Sequence, residues 1–249
     1  MKQLNNSAEI KLSIIIPVYN EARFISTVIE KVKSVKLPDN IMEEIIVIDD
    51  GSTDATGKIL EQYNSDSAIK IFHQEKNMGK SSAVRLGIEM STGDIILIQD
   101  ADLEYNPDDY PKLIEPIIAH KSTVVYGSRF KGTIKRMHII NKIANIVSNI
   151  TLNLLYNTEI SDVNTGYKVF RRDVLNDIKL ISKNFTFEAE ITAKLLNRGY
   201  SIYEVPIGYT ARSKKEGKKM GWIEALQMYC GIIKYKFETD DRMKWQKLF

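Results

Sequence analysis

The stretch GDIILIQDADLE, running from Gly93 to Glu104, decides how the chain reads. Ile95 to Ile98 is an unbroken apolar run, and it stops abruptly at Gln99, Asp100, Ala101 and Asp102. A short apolar run without alternation fits a strand covered on both faces, as in a parallel sheet. Such a strand, ending in two carboxylates one position apart, delivers both to the C-terminal edge of its sheet, where open α/β sheets bind ligands. Hard divalent cations take carboxylate and phosphate oxygens together, so this spacing suits a cation that also carries a diphosphate. Alone, a D-x-D is equally a pair of solvated turn acids, and the rest of the chain has to decide.

The flanking segments repeat one unit. Leu12 to Ile16 is a second apolar run, broken by Pro17, and Phe24, Ile25, Val28, Ile29, Val32 and Val35 then fall on one helical face before Pro38. Ile45 to Ile48 runs into DDGSTD, where Ser52 or Thr53 is expected to cap the helix carrying Ile59, Leu60 and Tyr63. Ile69 to Phe72 reads as a strand and Ser81 to Met90 as a helix; beyond the aspartate pair come a helix over Asp108 to Ala119 and the strand TVVYG at 123–127. Repeated βα units of this length imply an α/β fold with a doubly wound, mostly parallel sheet and helices on both faces.

The second half is less regular. Ile139, Ile143, Ile146, Val147, Ile150, Leu154 and Leu155 recur at helical spacing and predict a long amphipathic helix whose apolar stripe packs on the core, the usual use of such a stripe, or is shared between core and a membrane interface. DVNTGYKVFRR reads as a turn entering a strand, FEAEITAKLLNRG as a helix ended by Gly199, SIYEVPIGYT as a strand, and Gly221 to Phe237 as a final helix. Between these last two lies the most basic stretch, Arg212 to Lys219, with five cations against Glu216.

Composition excludes several classes. The 249 residues are 43% apolar and 27% charged, ordinary for a globular domain, and a net charge of +3 gives no argument for a nucleic-acid partner. A single cysteine, Cys230, excludes an internal disulfide. No apolar run approaches the roughly 18–20 residues that span a bilayer, and Met1 to Lys11 lacks a secretory apolar segment. The expected place is the cytoplasm, with peripheral contact at the cytoplasmic membrane face.

Six motifs in order, LSIIIPVYNE, IIVIDDGSTDAT, KNMGKSSAVRLGI, GDIILIQDADLE, YGSR and DVNTGYKVFRR, resemble those of the family 2 glycosyltransferases, and within them the polyprenyl-phosphate (dolichyl-phosphate) mannosyl- and glucosyltransferases. The resemblance implies a single GT-A domain over residues 1–249. A nucleotide-sugar-binding half would span about 12–130, and an acceptor-binding half, with a basic lid loop and C-terminal helix, about 131–237. It also implies an inverting hexosyl transfer from a GDP- or UDP-sugar, assisted by Mg²⁺ or Mn²⁺, in cell-envelope synthesis.

The same resemblance distributes roles. Pro17, Tyr19, Glu21, Ile48 and Asp50 would hold the nucleoside, with Asp100 toward the ribose or a metal-bound water and Ala101 small enough to let the nucleotide lie close, and Asp102 would be the metal ligand and a catalytic residue. Glu104 stands where such enzymes often carry glutamine and would add a further metal oxygen. Arg129 in YGSR would contact the acceptor phosphate or the surroundings of the sugar, since a guanidinium grips phosphate with two bonds. Arg212, with Lys218 or Lys219, would form a lid over the diphosphate, and Arg129 and Arg212 would be catalytic residues beside Asp102. A polyprenyl phosphate is already anionic and needs no general base, whereas a sugar hydroxyl would need one. Asp162, Glu188 and Glu190 are the candidate bases, so a glycan acceptor stays open beside a lipid phosphate, as does a nucleotide-sugar-binding protein without catalysis.

Overall fold

A computed structural model describes residues 9–176, 178–182, 186–212 and 222–238 of the chain. Its centre is a seven-stranded sheet in the order β3-β2-β1-β4-β6-β5-β7. The strands are β1 (Ile10–Val18), β2 (Ile41–Asp49), β3 (Ile69–His73), β4 (Ile95–Ile98), β5 (Val124–Lys135), β6 (Lys168–Arg171) and β7 (Tyr203–Thr210). β1 pairs parallel with β2 and β4, β2 with β3, and β5 with β7. Only β6 runs antiparallel to its neighbours, β4 and β5. That reversal places the start of β6, and the turn before it, at the same edge as the ends of the parallel strands.

Side chains alternate across the sheet. Leu12, Ile14 and Ile16 of β1 pack with Val28 and Ile29 of α1 (Ile25–Lys33) and Leu113 and Ile114 of α4 (Tyr110–Ile118). On the other face, Ile15, Ile96 and Ile98 meet Val84 of α3 (Lys80–Met90) and Ile191 and Leu195 of α7 (Phe187–Asn197). The β1 and β4 positions are fully buried on both faces, which is why these strands read as continuous apolar runs. Beyond α7 lies a further layer, where Leu152 of α5 (Ile139–Tyr156) and Met228, Ile232 and Tyr235 of α8 (Trp222–Phe237) pack on Ala189 and Ala193.

Three local readings differ from expectation. α2 (Thr56–Leu60) starts later than the expected cap: Ser52 Oγ accepts from the Asn20 N–H instead, and Asp54 accepts from the Thr56 N–H. The helix expected from Asp108 opens as a 3-10 turn at Pro107–Asp109, because Asn106 accepts from the Asp108 N–H there. A short helix, α6 (Arg172–Asn176), follows β6 with too few residues to show a period.

The fourth difference changes the surface. The apolar stripe of α5 faces outward: Ile139, Ile143, Ile146, Val147, Ile150 and Leu154 are exposed, Leu154 at 80%. Its buried residues are Ser148, Asn149 and Leu152. A 3.6-residue period shows that a helix has an apolar face, and it is silent about what that face meets. Here the sheet is already covered by α3 and α7, and α5 turns its polar side inward.

A buried carboxylate fastens the opposite edge of the sheet. Glu44 on β2 accepts from Ser13 Oγ (2.6 Å) on β1 and from the Thr92 N–H (2.6 Å) ahead of β4, and it pairs with Lys70 (2.9 Å) on β3 and Lys11 (3.0 Å) on β1. Burial alone would raise the Glu44 pKa, but the bonds from Ser13, Thr92, Lys70 and Lys11 reverse that and hold it well below the ordinary carboxylate range. A depressed folded-state pKa contributes stability that is complete above the unfolded value and lost as pH falls toward the folded one. Glu44→Gln should therefore cost about 1–3 kcal/mol at neutral pH by denaturant unfolding, tempered because both lysines reach solvent. The difference from the parent should shrink as pH falls below about 4.3, and a pH-independent difference would argue that Glu44 acts by packing alone.

Candidate active site

A cavity of about 450 Å³ opens at the C-terminal edge of the sheet. Pro17, Tyr19 and Glu21 enter it from the end of β1, Asp50 from the end of β2, Asp100, Ala101, Asp102 and Glu104 from beyond the end of β4, Arg129 from β5, and Tyr209 and Arg212 from the end of β7. The structure thus brings Pro17, Tyr19, Glu21, Asp50, Asp100, Ala101, Asp102, Glu104, Arg129 and Arg212 round one space. Ile48 does not line it: the side chain is fully buried in a cluster with Ile46 and Ala83. Lys218 and Lys219 lie outside the described residues, so Arg212 alone represents the basic loop.

Arg212 gathers the acids. Its Nη1 donates to both oxygens of Glu21 (3.0 and 3.2 Å) and its Nη2 to Asp102 Oδ2 (3.1 Å). Its backbone N–H donates to Glu104 Oε1 (2.7 Å), while the Tyr209 hydroxyl donates to Glu104 Oε2 (2.6 Å). Leu103, at φ 59°, turns the chain so that Asp102 and Glu104 face the same guanidinium, and Asp102 Oδ1 accepts the Glu104 N–H. A left-handed non-glycine residue stores backbone strain of the kind that collects at functional sites. Through its bonds from Tyr209 and the Arg212 N–H, Glu104 tethers β7 to the end of β4.

A second cation serves the other acids. Lys80, the first residue of α3, lies 2.7 Å from Asp100 Oδ1 and 2.8 Å from Glu188 Oε1 in the first turn of α7. Sequence reading quoted the motif that contains Lys80 without giving it a role; only the fold brings residues 80, 100 and 188 together. Gly79 precedes it at φ 88°, and Asp50 accepts the Met78 and Gly79 N–H groups (2.7 and 2.8 Å). Asp50 thus shapes this loop from within the cavity wall. Gly166 is required by contact, since a Cβ there would come within 2.1 Å of Asp100 Oδ2.

Arg129 is buried and bound through Nε and Nη2 to Asp162 (2.7 Å each), with its own N–H on the same carboxylate. Its guanidinium lies 5.0 Å from the centre of the Tyr209 ring. This two-point bond, spanning 33 positions, occupies both oxygens of Asp162. Behind the turn, Lys168 donates to the Val163 and Thr165 carbonyls, and burial, outweighing Glu188 and Asp162, pushes its pKa down to about 7.

Among the described residues no three acidic, histidine or cysteine side chains converge into a preformed metal cage. The site nevertheless suits a hard divalent cation. Burial pushes the Asp102 pKa up to about 7, Asp100 and Glu104 push the same way, and Arg212 opposes them. A carboxylate so crowded by like charge is short of positive charge, and Mg²⁺ and Mn²⁺ take such an oxygen together with phosphate oxygens and water. Asp102 is the residue that would hold it.

The family profile for glycosyl transferase family 2 matches residues 13–179. A dolichol-phosphate mannosyltransferase of Pyrococcus furiosus is 31% identical over 247 residues, covering 94% of this chain and 67% of that protein. A polyprenol monophosphomannose synthase of Mycolicibacterium smegmatis is 29% identical over 222 residues, covering 84% and 80%. A dodecaprenyl-phosphate galacturonate synthase of Rhizobium johnstonii is 25% identical over 180 residues, covering 72% and 53%. Among solved structures, glucosyl-3-phosphoglycerate synthase of Mycobacterium tuberculosis, in complex with Mn²⁺, UDP and glucosyl-3-phosphoglycerate, superposes with a TM-score of 0.73 at 19% identity. That alignment covers 95% of this chain and 83% of the other, a likeness of fold.

Asp102→Asn keeps shape and removes charge. The parent protein should melt several degrees higher with Mn²⁺ and a saturating nucleoside diphosphate, because a ligand that binds only the native state stabilises it. In the variant that rise should fall by more than half while the ligand-free melting temperature stays within about 3 °C. An undiminished rise would take Asp102 off the cation.

Proposed function

The chain belongs to glycosyl transferase family 2 and is a glycosyltransferase of the GT-A fold, and from that premise we propose that it transfers a hexose, with inversion, from a GDP- or UDP-sugar to the phosphate of a polyprenyl phosphate. An oxygen of the acceptor phosphate attacks the anomeric carbon, and the bond from that carbon to the donor's β-phosphate oxygen breaks. The nucleoside diphosphate leaves with the electron pair. No proton need be removed from an ionised phosphate.

The observation that carries this reading is the two-sided helix α5. Asn141, Asn145 and Ser148 on its inner side line the cavity, while its outer side is apolar and its 18 residues contain no acid. An acceptor with a charged head and a hydrocarbon tail suits that division. Exposed Lys135, Arg136 and Lys142 lie at its start, and Leu226, Ile233 and Phe237 of α8 are exposed apolar residues as well. Basic flanks beside an apolar helix face favour an anionic lipid surface. Among the described residues no helix is long and apolar enough to cross a membrane, so the contact would be peripheral.

The acids of the second half support the same acceptor. Asp162 is spent on Arg129, and Glu190 accepts from Lys194, the Ile181 N–H and the Ser182 N–H and lies away from the cavity. Glu188 reaches the cavity with Lys80 already on it, and a hydroxyl acceptor on a glycan, the second reading, would have to use it as base. The names of the three curated relatives all contain a polyprenyl-type phosphate or polyprenol.

In this reading residues 12–130 bind the donor and 131–237 the acceptor. Arg212 and Lys80 supply fixed positive charge where the departing diphosphate becomes more negative, a contribution that needs no rearrangement during reaction. Arg129, with Nη1 free of bonds among the described residues, would face the acceptor phosphate. Lys218 or Lys219 would join Arg212 over the donor. Bound Mg²⁺ or Mn²⁺ would add charge neutralisation at the leaving group. Pro17, Tyr19 and Glu21 would hold the nucleoside, with Asp100 and Ala101 beside the ribose.

Purified protein, Mn²⁺ and labelled GDP- and UDP-hexoses, offered polyprenyl phosphate, polyprenol or a soluble oligosaccharide, should move label only to the polyprenyl phosphate. Label on the oligosaccharide and none on the lipid phosphate would favour the hydroxyl reading. The protein should also float with anionic vesicles at low salt. The double change Ile143→Asp and Leu154→Asp should lower the floating fraction at least threefold with little effect on melting; equal flotation of the two proteins would remove α5 from the membrane contact.

A further inference from the structure

Glu188 has a feature that holding Lys80 does not explain. Its Oε1 accepts from Lys80 (2.8 Å), while Oε2 makes no bond among the described residues, although the side chain is only 12% exposed and lines the cavity. A carboxylate oxygen without a partner in a side chain that lines a cavity is an acceptor available to a ligand's donors. The groups nearest it are fixed. Lys80 reaches on to Asp100 Oδ1, and Asp100 is held from behind by the close approach of Gly166. Lys80 therefore offsets one of the two negative charges beside it.

Resting on the reading of the cavity as a nucleotide-sugar site, we propose that Glu188, oriented by Lys80, reads hydroxyl groups of the transferred sugar and restricts the donor to neutral hexoses, rejecting uronic acids. A neutral hexose presents only hydroxyls to this wall, each able to donate a charge-assisted hydrogen bond to Oε2. A uronic acid would bring a carboxylate toward Glu188 and Asp100, with Lys80 already shared between them. Like charges in a half-buried site repel more strongly than in water. Phosphate, an acceptor only, has no bond to make to Oε2, so this wall is complementary to the sugar rather than to either phosphate. Discrimination by an unfavourable contact with the wrong ligand is how binding sites gain selectivity beyond affinity.

The test is equilibrium binding by calorimetry, with Mn²⁺, of a nucleoside diphosphate, its neutral hexose conjugate and its hexuronate conjugate, using whichever of uridine or guanosine diphosphate binds. The parent should prefer the neutral conjugate to the uronate by at least tenfold. Glu188→Gln, which keeps the size and removes the charge, should bind the bare diphosphate within about twofold of the parent while that preference falls below threefold. Glu188→Ala should lose the same preference, guarding against an accidental bond from glutamine. An unchanged preference in both variants, or equal loss of all three ligands, would overturn the proposal and leave Glu188 a partner of Lys80 only. A parent that binds neither diphosphate would instead contradict the nucleotide-sugar reading on which the proposal stands.

Discussion

Glu21, Asp102 and Glu104 converge on one arginine at the ends of three strands, and Asp100 and Glu188 on one lysine beside it. Like charges held this close in a protein wall repel, and burial, reinforced by Asp100 and Glu104, pushes the Asp102 pKa up to about 7. The surrounding structure answers that repulsion. Tyr209 fixes Glu104, Asp50 shapes the loop leading to Lys80, and the absence of a side chain at Gly166 lets the turn before β6 close against Asp100. The edge is thereby short of positive charge and ready for a ligand that brings a cation with it, as a metal-bound diphosphate does.

The same constraint explains the reversal of α5. A cavity lined by acids, lysine and arginine needs polar walls, so the helix that closes its far side presents Asn141, Asn145 and Ser148 inward. Asn145 donates to the Asn141 carbonyl and accepts from Asn164, which ties the helix to the turn before β6. An amphipathic helix with its polar face inward must place its apolar face somewhere, and on this chain that place is the surface. Contiguous exposed apolar area of this kind marks an interaction site, which in the proposed function is an anionic lipid surface.

Most of the sheet could be read from the sequence because strands buried on both faces are written as apolar runs, and each run stops where the chain reaches the ligand edge. Ile95 to Ile98 followed by Asp100 and Asp102 shows this directly. What escaped depended on distant partners. Arg129 and Asp162 are separated by 33 positions, and Lys80 and Glu188 by 108, so no local pattern signals either pair. The bonds that Glu104 accepts from Tyr209 and the Arg212 N–H, across 105 and 108 positions, are equally unmarked in the sequence. Ile48 was drawn toward the ligand by its place near a strand end, whereas the alternation of β2 turns its side chain into the core. The direction of the α5 face stays undecided in the sequence between core and membrane interface for a different reason, since periodicity reports amphipathicity without direction.

A crystal structure of the protein with Mn²⁺ and the nucleoside diphosphate it binds tests the central claim most directly. The account predicts an anomalous manganese peak about 2.1 Å from an Asp102 oxygen, with the diphosphate between Arg212 and Lys80. A peak remote from Asp102, or a nucleotide seated outside this cavity, would contradict it.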